Sequence, residues 1–303
     1  MRAAFSVRLA LVSAVAAASA LAIASAPAIP AQAGARERTL FVSAVDPRGE
    51  PVRGLDTTHF IVTEDGRRRE VLRVSRAIEP MDIALIADNS TAAERAIPSL
   101  RDGLKAFVDE VAGDHQIALI GLADRPTIYV DYTSNRMRLE EGIGRLFSTS
   151  SSGMTLLDAL VEVSGGLRRR EAARAVMVPV ITTGLEFTNR YGLDVVDSLK
   201  QAGVALHAFV IGIVDYSTVP ERERAVVLDA GTRETGGQYV TLLAESAMKQ
   251  ALQRLARQLS SQYKVVYGRP ESLIPPEKIE VTSSRPDVTM RGTPARGETG
   301  GLR

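Results

Sequence analysis

The chain contains no cysteine and no tryptophan, and only three of its 303 residues are histidine. The absence of cysteine excludes disulfide bonds, a thiol nucleophile, a thiolate metal site and a lipid-modified N-terminal cysteine. Phosphate-binding motifs are also missing, since neither Gly-x-Gly-x-x-Gly nor Gly-Lys-Ser/Thr follows a strand pattern. The hydrophobic core must therefore stabilise the fold by itself, and a chain of this length can bury enough apolar surface to do so.

Long apolar runs are confined to the first residues. Arg2 and Arg8 precede an apolar run from Leu9 to about Ala24, and Ala31-Gln32-Ala33 offers a cleavage site. This pattern predicts a signal peptide at residues 1–33. The alternative is a membrane anchor, but a run of ~16 residues is short for crossing a bilayer. We therefore expect an exported protein, periplasmic or extracellular, with no membrane insertion after cleavage.

A strong excess of one charge is lacking as well. The composition is 45% hydrophobic and 24% charged, which is typical of globular proteins. Without Arg2 and Arg8, the only charged residues of the predicted signal peptide, the formal net charge falls from +1 to −1. Such a chain has no electrostatic footprint for nucleic acid or for an anionic membrane.

The pattern of the remaining chain predicts four segments. Residues 34–79 and 263–292 contain short β-like runs interrupted by Gly, Pro and Asp, while residues 293–303 predict a flexible tail. Between them, in residues 80–262, buried apolar runs alternate with amphipathic helical stripes. This alternation predicts an α/β domain with a doubly wound, mostly parallel sheet flanked by helices, and with short β segments before and after it.

Polar residues gather where predicted strands end or helices begin. They lie in three loops: Asp-Asn-Ser-Thr-Ala at residues 88–92, Ser-Gly-Met-Thr-Leu-Leu-Asp-Ala-Leu at 152–160 and Ile-Thr-Thr-Gly at 181–184. Open α/β sheets bind ligands beyond the carboxyl ends of their strands. We therefore expect these loops to meet at one edge of the sheet.

The order and spacing of these loops resemble a von Willebrand factor type A domain, especially that of bacterial exported proteins in which the domain follows a short β segment. Residues 88–92 nearly match the Asp-x-Ser-x-Ser of the family's first loop, and residues 153–160 resemble its second loop and helix. Residues 45–66 and 263–290 resemble the flanking β segments. The resemblance covers nearly all of the chain after the signal peptide and implies a Rossmann-like fold.

The resemblance also implies a metal-ion-dependent adhesion site, in which hydroxyls and carboxylates hold a divalent cation, usually magnesium. By position, Asp88, Ser90 and Thr155 match three of its ligands. Ala92 and Thr183 replace two others, so one hydroxyl and one negative charge are lost. Magnesium gives up its water reluctantly and needs charge in return. We therefore expect a degenerate site with weak or no magnesium binding, and no other cofactor.

These side chains also have a purely structural interpretation. Asp and Ser commonly cap the helix that follows them, so Asp88 and Ser90 could cap one helix and Thr155 the next. Asp158 would then complement the dipole of that second helix.

The function that these observations favour is a non-enzymatic protein-binding module. A protein or peptide partner would dock on residues 88–92, 147–155 and 183–189, with apolar contacts from Met154, Leu185 and Phe187. Three alternatives stay open. They are a magnesium-dependent adhesion module with a modified site, a structural envelope or assembly component that adds strands at a free edge, and a hydrolase. The hydrolase would require a histidine beside a serine and an acidic group, and no Gly-x-Ser-x-Gly elbow is present.

Overall fold

Two layers of helices enclose a six-stranded sheet, and a smaller β module packs beside it. The computed structural model describes residues 35–214, 216–270 and 274–296. The predicted signal peptide at residues 1–33 lies outside the described residues. Within the described ranges, no helix is long and apolar enough to cross a membrane.

The elements are labelled in chain order. The strands are β1 (Ala35–Val45), β2 (Phe60–Glu64), β3 (Arg67–Arg69), β4 (Val71–Arg76), β5 (Met81–Ala87), β6 (Gln116–Gly121), β7 (Thr127–Thr133), β8 (Arg174–Thr182), β9 (Val204–Ile211), β10 (Gln238–Leu242), β11 (Tyr263–Pro270), β12 (Ile279–Ser283) and β13 (Thr289–Pro294). The helices are α1 (Ile97–Val111), α2 (Arg136–Gly144), α3 (Leu156–Arg170), α4 (Gly192–Ala202), α5 (Val219–Val226), α6 (Thr232–Glu234) and α7 (Met248–Ser260). A π-helical segment, Val227–Gly231, joins α5 to α6.

The large sheet has the strand order β10-β9-β8-β5-β6-β7. All neighbouring strands are parallel except β6 and β7, which are antiparallel. Every residue of β5 and β8 is buried, as expected for strands covered on both faces. The prediction of a doubly wound, mostly parallel α/β sheet is confirmed.

Two hydrophobic cores lie on opposite faces of this sheet. Ile83 and Leu85 of β5 pack with α1 and α7, while the alternate residues Ala84 and Ile86 pack with α3 and α4. The predicted apolar stripe of α1 is fully buried. Burial of each large aliphatic or aromatic side chain contributes about 1.5–3 kcal/mol relative to exposure.

The two β segments that flank the domain in sequence pair with each other. β1 lies between β11 and β13 in a four-stranded antiparallel sheet, β13-β1-β11-β4, and a second sheet has the order β12-β2-β3. Their shared core includes Leu40, Phe60, Val62, Val265 and Tyr267. The segments before and after the α/β domain therefore form one β module.

The flexible tail was predicted for residues 293–303, but the first of these residues belong to the folded structure. Thr293 and Pro294 belong to β13, and Thr293 Oγ1 donates a hydrogen bond to Thr235 O (2.8 Å). The Arg296 side chain donates to Leu167 O (3.0 Å). Residues 293–296 are thus part of the fold because pairing with β1 and contacts with the α/β domain hold them, while residues 297–303 lie outside the described residues.

Candidate binding site at the carboxyl edge of the sheet

The first and third predicted loops meet where β5 and β8 end side by side. Asp88 directly follows β5 and is 1% exposed. Its Oδ2 accepts hydrogen bonds from the backbone N–H (2.9 Å) and the hydroxyl of Thr182, the last residue of β8. Its Oδ1 accepts one from the backbone N–H of Ser90 (2.9 Å). The chain leaves β5 toward α1 on one face and β8 toward α4 on the other. These bonds therefore cross the switch point of strand order, where open α/β sheets bind ligands.

Asn89 joins the first loop to the residues after β6 and to the Ser/Thr-rich stretch at 147–155, although the sequence analysis did not single it out. Its Oδ1 accepts hydrogen bonds from the backbone N–H groups of Leu122 (2.9 Å) and Ala123 (3.0 Å), just after β6. Its Nδ2 donates to the hydroxyl of Tyr129 (3.1 Å), and its backbone oxygen accepts from the N–H of Thr149 (2.8 Å). One buried amide thus fixes the loops after β5, β6 and α2. Its place in the polar loop after a buried strand is the one signal that could have pointed to it.

Ser90, Ala92 and Gly184 bring the first and third loops into contact. A Cβ atom placed on Gly184 would lie 2.7 Å from Ala92 Cβ and 3.5 Å from Ser90 Oγ. Residue 184 therefore has no room for a side chain unless the loop shifts. The hydroxyl of Ser90 is buried and has no hydrogen-bond partner among the described residues.

Thr155 lies one strand away, at the end of β6. Its Oγ1 donates to Leu122 O (3.0 Å), and it is 6% exposed. Thr155 precedes α3 and Ser90 precedes a 3-10 turn (Thr91–Ala96), yet neither side chain makes a capping hydrogen bond. The hypothesis that these side chains cap helices is therefore wrong, because Thr155 bonds a strand end and Asp88 bonds the N–H of Ser90.

The remaining predicted side chains turn away from Asp88. A Cβ on Gly212, after β9, would lie 3.2 Å from Thr183 Cγ2, so Thr183 packs toward that neighbouring loop. The residue of the third loop that bonds Asp88 is Thr182, one position earlier. Asp158 forms an ion pair with Arg190. The predicted loops thus lie at one edge of the sheet, but among Asp88, Ser90, Thr155 and Thr183 only Asp88 and Ser90 are joined directly.

Comparison with solved structures identifies this architecture. A von Willebrand factor type A protein from Catenulispora acidiphila matches 87% of the chain over 75% of its own length, with a TM-score of 0.51 and 9% identity. The protein has the von Willebrand factor type A fold. The vWF domain of the type V pili tip protein Mfa5 from Porphyromonas gingivalis matches 60% of the chain over 96% of its own length, with a TM-score of 0.48 and 11% identity. No protein-family model and no curated protein matches the sequence. The predicted resemblance is therefore confirmed at the level of the fold.

The side chains at this edge of the type A fold fit a divalent cation poorly. Asp88 supplies one carboxylate, and its two oxygens already accept three hydrogen bonds from the protein. A carboxylate has about four acceptor positions, so little capacity remains. The Oγ1 of Thr155 is committed to a backbone oxygen, and Thr183 contributes no charge. No group of three or more His, Asp or Glu side chains that could hold a metal occurs in the part of the chain that the structure describes.

Two buried ionisable side chains, Glu186 and Arg224, lie next to the third loop. Glu186 is 4% exposed, and its Oε1 accepts a hydrogen bond from Thr188 Oγ1 (2.8 Å). Arg224 of α5 is 1% exposed and donates from Nη1 to Gly184 O (2.6 Å). Burial raises the pKa of Glu186 to about 7, although the Thr188 hydroxyl and the positive charge of Arg224 act in the opposite direction. Arg224 thus places a fixed positive charge on the loop that contacts Ser90, where it disfavours a second cation.

Large apolar side chains are exposed around this edge of the type A fold. Phe147 precedes α3, Leu185 and Phe187 follow β8, Ile213 follows β9 and Leu243 follows β10. Their exposed fractions are 63%, 57%, 60%, 81% and 85%, respectively. We call these five residues the apolar rim. Because β8, β9 and β10 are parallel, the loops that follow them emerge at the same edge as Asp88.

Two rim aromatics are held in place by their neighbours. The guanidinium of Arg101 lies 4.3 Å from the centre of the Phe147 ring. The ring of Phe187 covers Gly153 so closely that a Cβ there would lie 2.2 Å from it. Met154, predicted to contact a partner, is instead 0% exposed. Its backbone exchanges hydrogen bonds with Leu185 O (3.0 Å) and the N–H of Phe187 (2.9 Å), so it supports the rim from within the core.

Proposed function

We propose that this protein is an exported, non-enzymatic protein-binding module that captures a protein or peptide partner on its apolar rim, with weak or no dependence on metal. The observation that carries the proposal is the exposure of five large apolar residues at the edge of the sheet where Asp88 lies. Large apolar side chains exposed together at one edge of a protein are typical of protein interaction sites. Because Phe147 and Phe187 are already held in position, less conformational entropy is lost on binding.

The surroundings of the histidines support a non-enzymatic role. His59 bonds Asp56 (2.8 Å) within an exposed capping box. His115 Nδ1 accepts a hydrogen bond from the backbone of Met81 (3.3 Å). His207 is 1% exposed, and burial lowers its pKa to about 3, so this ring is a poor general base at neutral pH.

Arginines weigh against assembly through added strands. β3 consists of Arg67, Arg68 and Arg69, and the edge strand β4 carries Arg73 and Arg76. Charged residues on edge strands are a common means of preventing strand addition. The β module is therefore better suited to packing against the α/β domain than to polymerisation through added strands.

A site-specific photo-crosslinker tests the proposed surface. The crosslinking residue would replace Phe187 in one variant of the full chain and Met137 in another. Met137 is 71% exposed on α2, so it offers a matched apolar surface position away from the rim. We expect the Phe187 variant to give a discrete crosslinked product in cells that produce the protein, in EDTA as well as in magnesium, and the Met137 variant to give none.

The crosslinking also separates the alternatives. A product that disappears in EDTA would favour the magnesium-dependent module. Equal products from both positions, or none from Phe187, would overturn the rim as the binding surface. Fractionation of the producing cells would test export, since a protein retained in the cytoplasm contradicts the predicted signal peptide.

A further inference from the structure

A cavity of about 280 Å³ lies between the β module and the α/β domain. Its polar wall is formed by Asp46 after β1, Arg254 and Gln258 of α7, and Arg291 of β13. Its apolar wall includes Phe209 and Val240 of the large sheet, and further residues of β1 and α7. The volume is near the lower end of ligand pockets, which are roughly 300–1,000 Å³. The cavity is separate from the apolar rim.

Arg291 brings to this cavity a positive charge that forms no ion pair within the described ranges. Its Nη2 donates a hydrogen bond to Gln238 Oε1 (3.0 Å), but its Nε is buried and has no partner among the described residues. Burial lowers the pKa of Arg291, and no acid in the part of the chain that the structure describes opposes that effect. The same positive charge adds to the lowering of the pKa of the neighbouring His207. Since a buried charge without a counterion is costly, this position favours an anion.

Gln258 adds an unused acceptor to the same cavity. It is 4% exposed, and its Nε2 donates to Gly49 O (2.6 Å). Its Oε1 is buried without a hydrogen-bond partner in the described ranges. The nearby Asp46 uses Oδ1 to accept from the backbone of Arg48 (2.9 Å) and Glu50 (2.8 Å), so it stabilises its own turn. The cavity thus combines an unpaired guanidinium donor, an unpaired amide acceptor and an apolar wall.

We propose that this cavity binds a small organic carboxylate that carries a hydroxyl group. The carboxylate lies against the guanidinium of Arg291, whose charged N–H groups match carboxylate oxygens. The hydroxyl donates to Gln258 Oε1, and the carbon skeleton packs on the apolar wall. The ligand leaves no buried polar group of these two side chains unpaired, which is the physical reason for its affinity. The proposal does not depend on the function of the apolar rim.

Calorimetric titration of the full chain tests the proposal. The probes are L-malate, which has carboxylates and a hydroxyl, succinate, which lacks the hydroxyl, and inorganic phosphate, all in Tris chloride buffer. We expect saturable one-to-one binding of L-malate, at least about fivefold tighter than succinate because only malate satisfies Gln258. Arg291→Gln should weaken malate binding by at least about tenfold.

The matched control removes an arginine from the same helix as Gln258 but outside the cavity. Arg257 pairs with Glu50 (2.9 Å), and Arg257→Gln should change malate affinity by less than about twofold. An absence of saturable malate binding to the wild type, or an equal loss in both arginine variants, would overturn the proposal. Phosphate binding without malate binding would overturn the assignment to a carboxylate.

A second variant keeps the test decisive if Arg291→Gln does not fold. In Gln258→Leu, affinity for malate should fall to that for succinate, while succinate affinity stays unchanged. Unchanged malate affinity in that variant would contradict the assigned role of the amide. Circular dichroism of each variant establishes that it is folded.

Discussion

Two buried carboxylates, one in each part of the molecule, have opposite surroundings. Glu64 of the β module is 2% exposed and lies between two guanidinium groups, those of Arg69 (2.9 Å) and Arg269 (3.1 Å). It also accepts a hydrogen bond from the hydroxyl of Tyr267 (2.8 Å). Asp88 of the α/β domain is 1% exposed, and the three hydrogen bonds it accepts come from neutral groups of Ser90 and Thr182.

The difference separates a structural carboxylate from one at a candidate binding site. The cations around Glu64 belong to the fold and leave no place for a ligand. Among the described residues, Asp88 bonds only neutral groups, and it lies at a strand end beneath exposed loops. Asp88 therefore organises the loops on which a partner would dock, and the partner would contact the exposed apolar rim rather than this carboxylate.

The largest expected effect is at Glu64. In Glu64→Gln, the two guanidinium groups lose their shared counterion inside the β module. Removal of one member of a buried ionic network costs about 3–5 kcal/mol. We expect the free energy of unfolding in urea to fall by about 4 kcal/mol.

The exposed ion pair of the same module is the control. Glu37 Oε2 and Arg73 Nη2 lie 2.5 Å apart at the surface. Glu37→Gln should leave the urea unfolding curve nearly unchanged. If both variants lost a similar free energy of unfolding, burial would not explain the importance of the Glu64 ion pairs for stability.

A pH dependence at Glu186 is the next largest effect. Because its pKa is raised from 4.5 to about 7, the folded state holds a proton that the unfolded state releases between these pH values. The stability that this proton provides is complete below pH 4.5 and is lost as the pH rises through 7. The loss amounts to about 3 kcal/mol. Glu186→Gln cannot ionise, so its stability relative to wild type should rise across this window.

The titration of His207 changes the free energy of unfolding with pH in the opposite direction. Glu186→Gln must therefore be compared with wild type at each pH. Its pKa is lowered from 6.5 to about 3, so its contribution to stability increases with pH over that range. Both proteins retain His207, and its contribution cancels when their unfolding free energies are subtracted at each pH. A difference that stays constant from pH 4 to pH 8 would contradict a raised pKa at Glu186.

A smaller loss of stability is expected for Asp88→Asn. The amide keeps the shape of the side chain but offers one NH₂ where the carboxylate accepted from Ser90 or Thr182. One hydrogen bond is lost and one donor is left facing another, which costs about 2 kcal/mol. Urea unfolding measures the loss, and crosslinking from Phe187 reports whether the rim is still organised. A stability equal to wild type would show that the hydrogen bonds accepted by Asp88 contribute little to the stability of the fold.

The sequence allowed prediction of the sheet, because long buried runs and helical stripes repeat with the right spacing. It also placed Asp88, Ser90, Thr155 and Thr183 at strand ends. The local pattern could not show that the flanking segments pair into one β module, since β1 and β11 are joined by contacts across the whole chain. It could not show that Met154 points into the core, because an apolar residue in a loop has no periodicity to orient it.

The polar contacts of the site were the least predictable part. The side chain of Asn89 accepts a hydrogen bond from the backbone N–H of Leu122, and that of Arg224 donates one to the backbone oxygen of Gly184. Such bonds depend on the tertiary approach of two segments and leave no motif in either one. The capping interpretation of Thr155 failed for the same reason, because its hydroxyl bonds Leu122 O, a strand-end group that comes close only in the fold.

The smallest expected effect concerns metal. Asp88 has little acceptor capacity left, and Arg224 adds positive charge to the third loop, so thermal unfolding midpoints in EDTA and in millimolar magnesium should agree within about 1 °C. The double variant Ala92→Ser and Thr183→Asp restores the two positions that depart from the family's pattern. If the lost ligands are the cause, magnesium should raise its midpoint by about 3 °C, as expected for a ligand at several times its Kd. A shift of several degrees in the wild type would instead show that Asp88, Ser90 and Thr155 suffice to hold the ion. The difference between the two carboxylates would then be that Asp88 binds a metal ion, whereas Glu64 pairs with arginines.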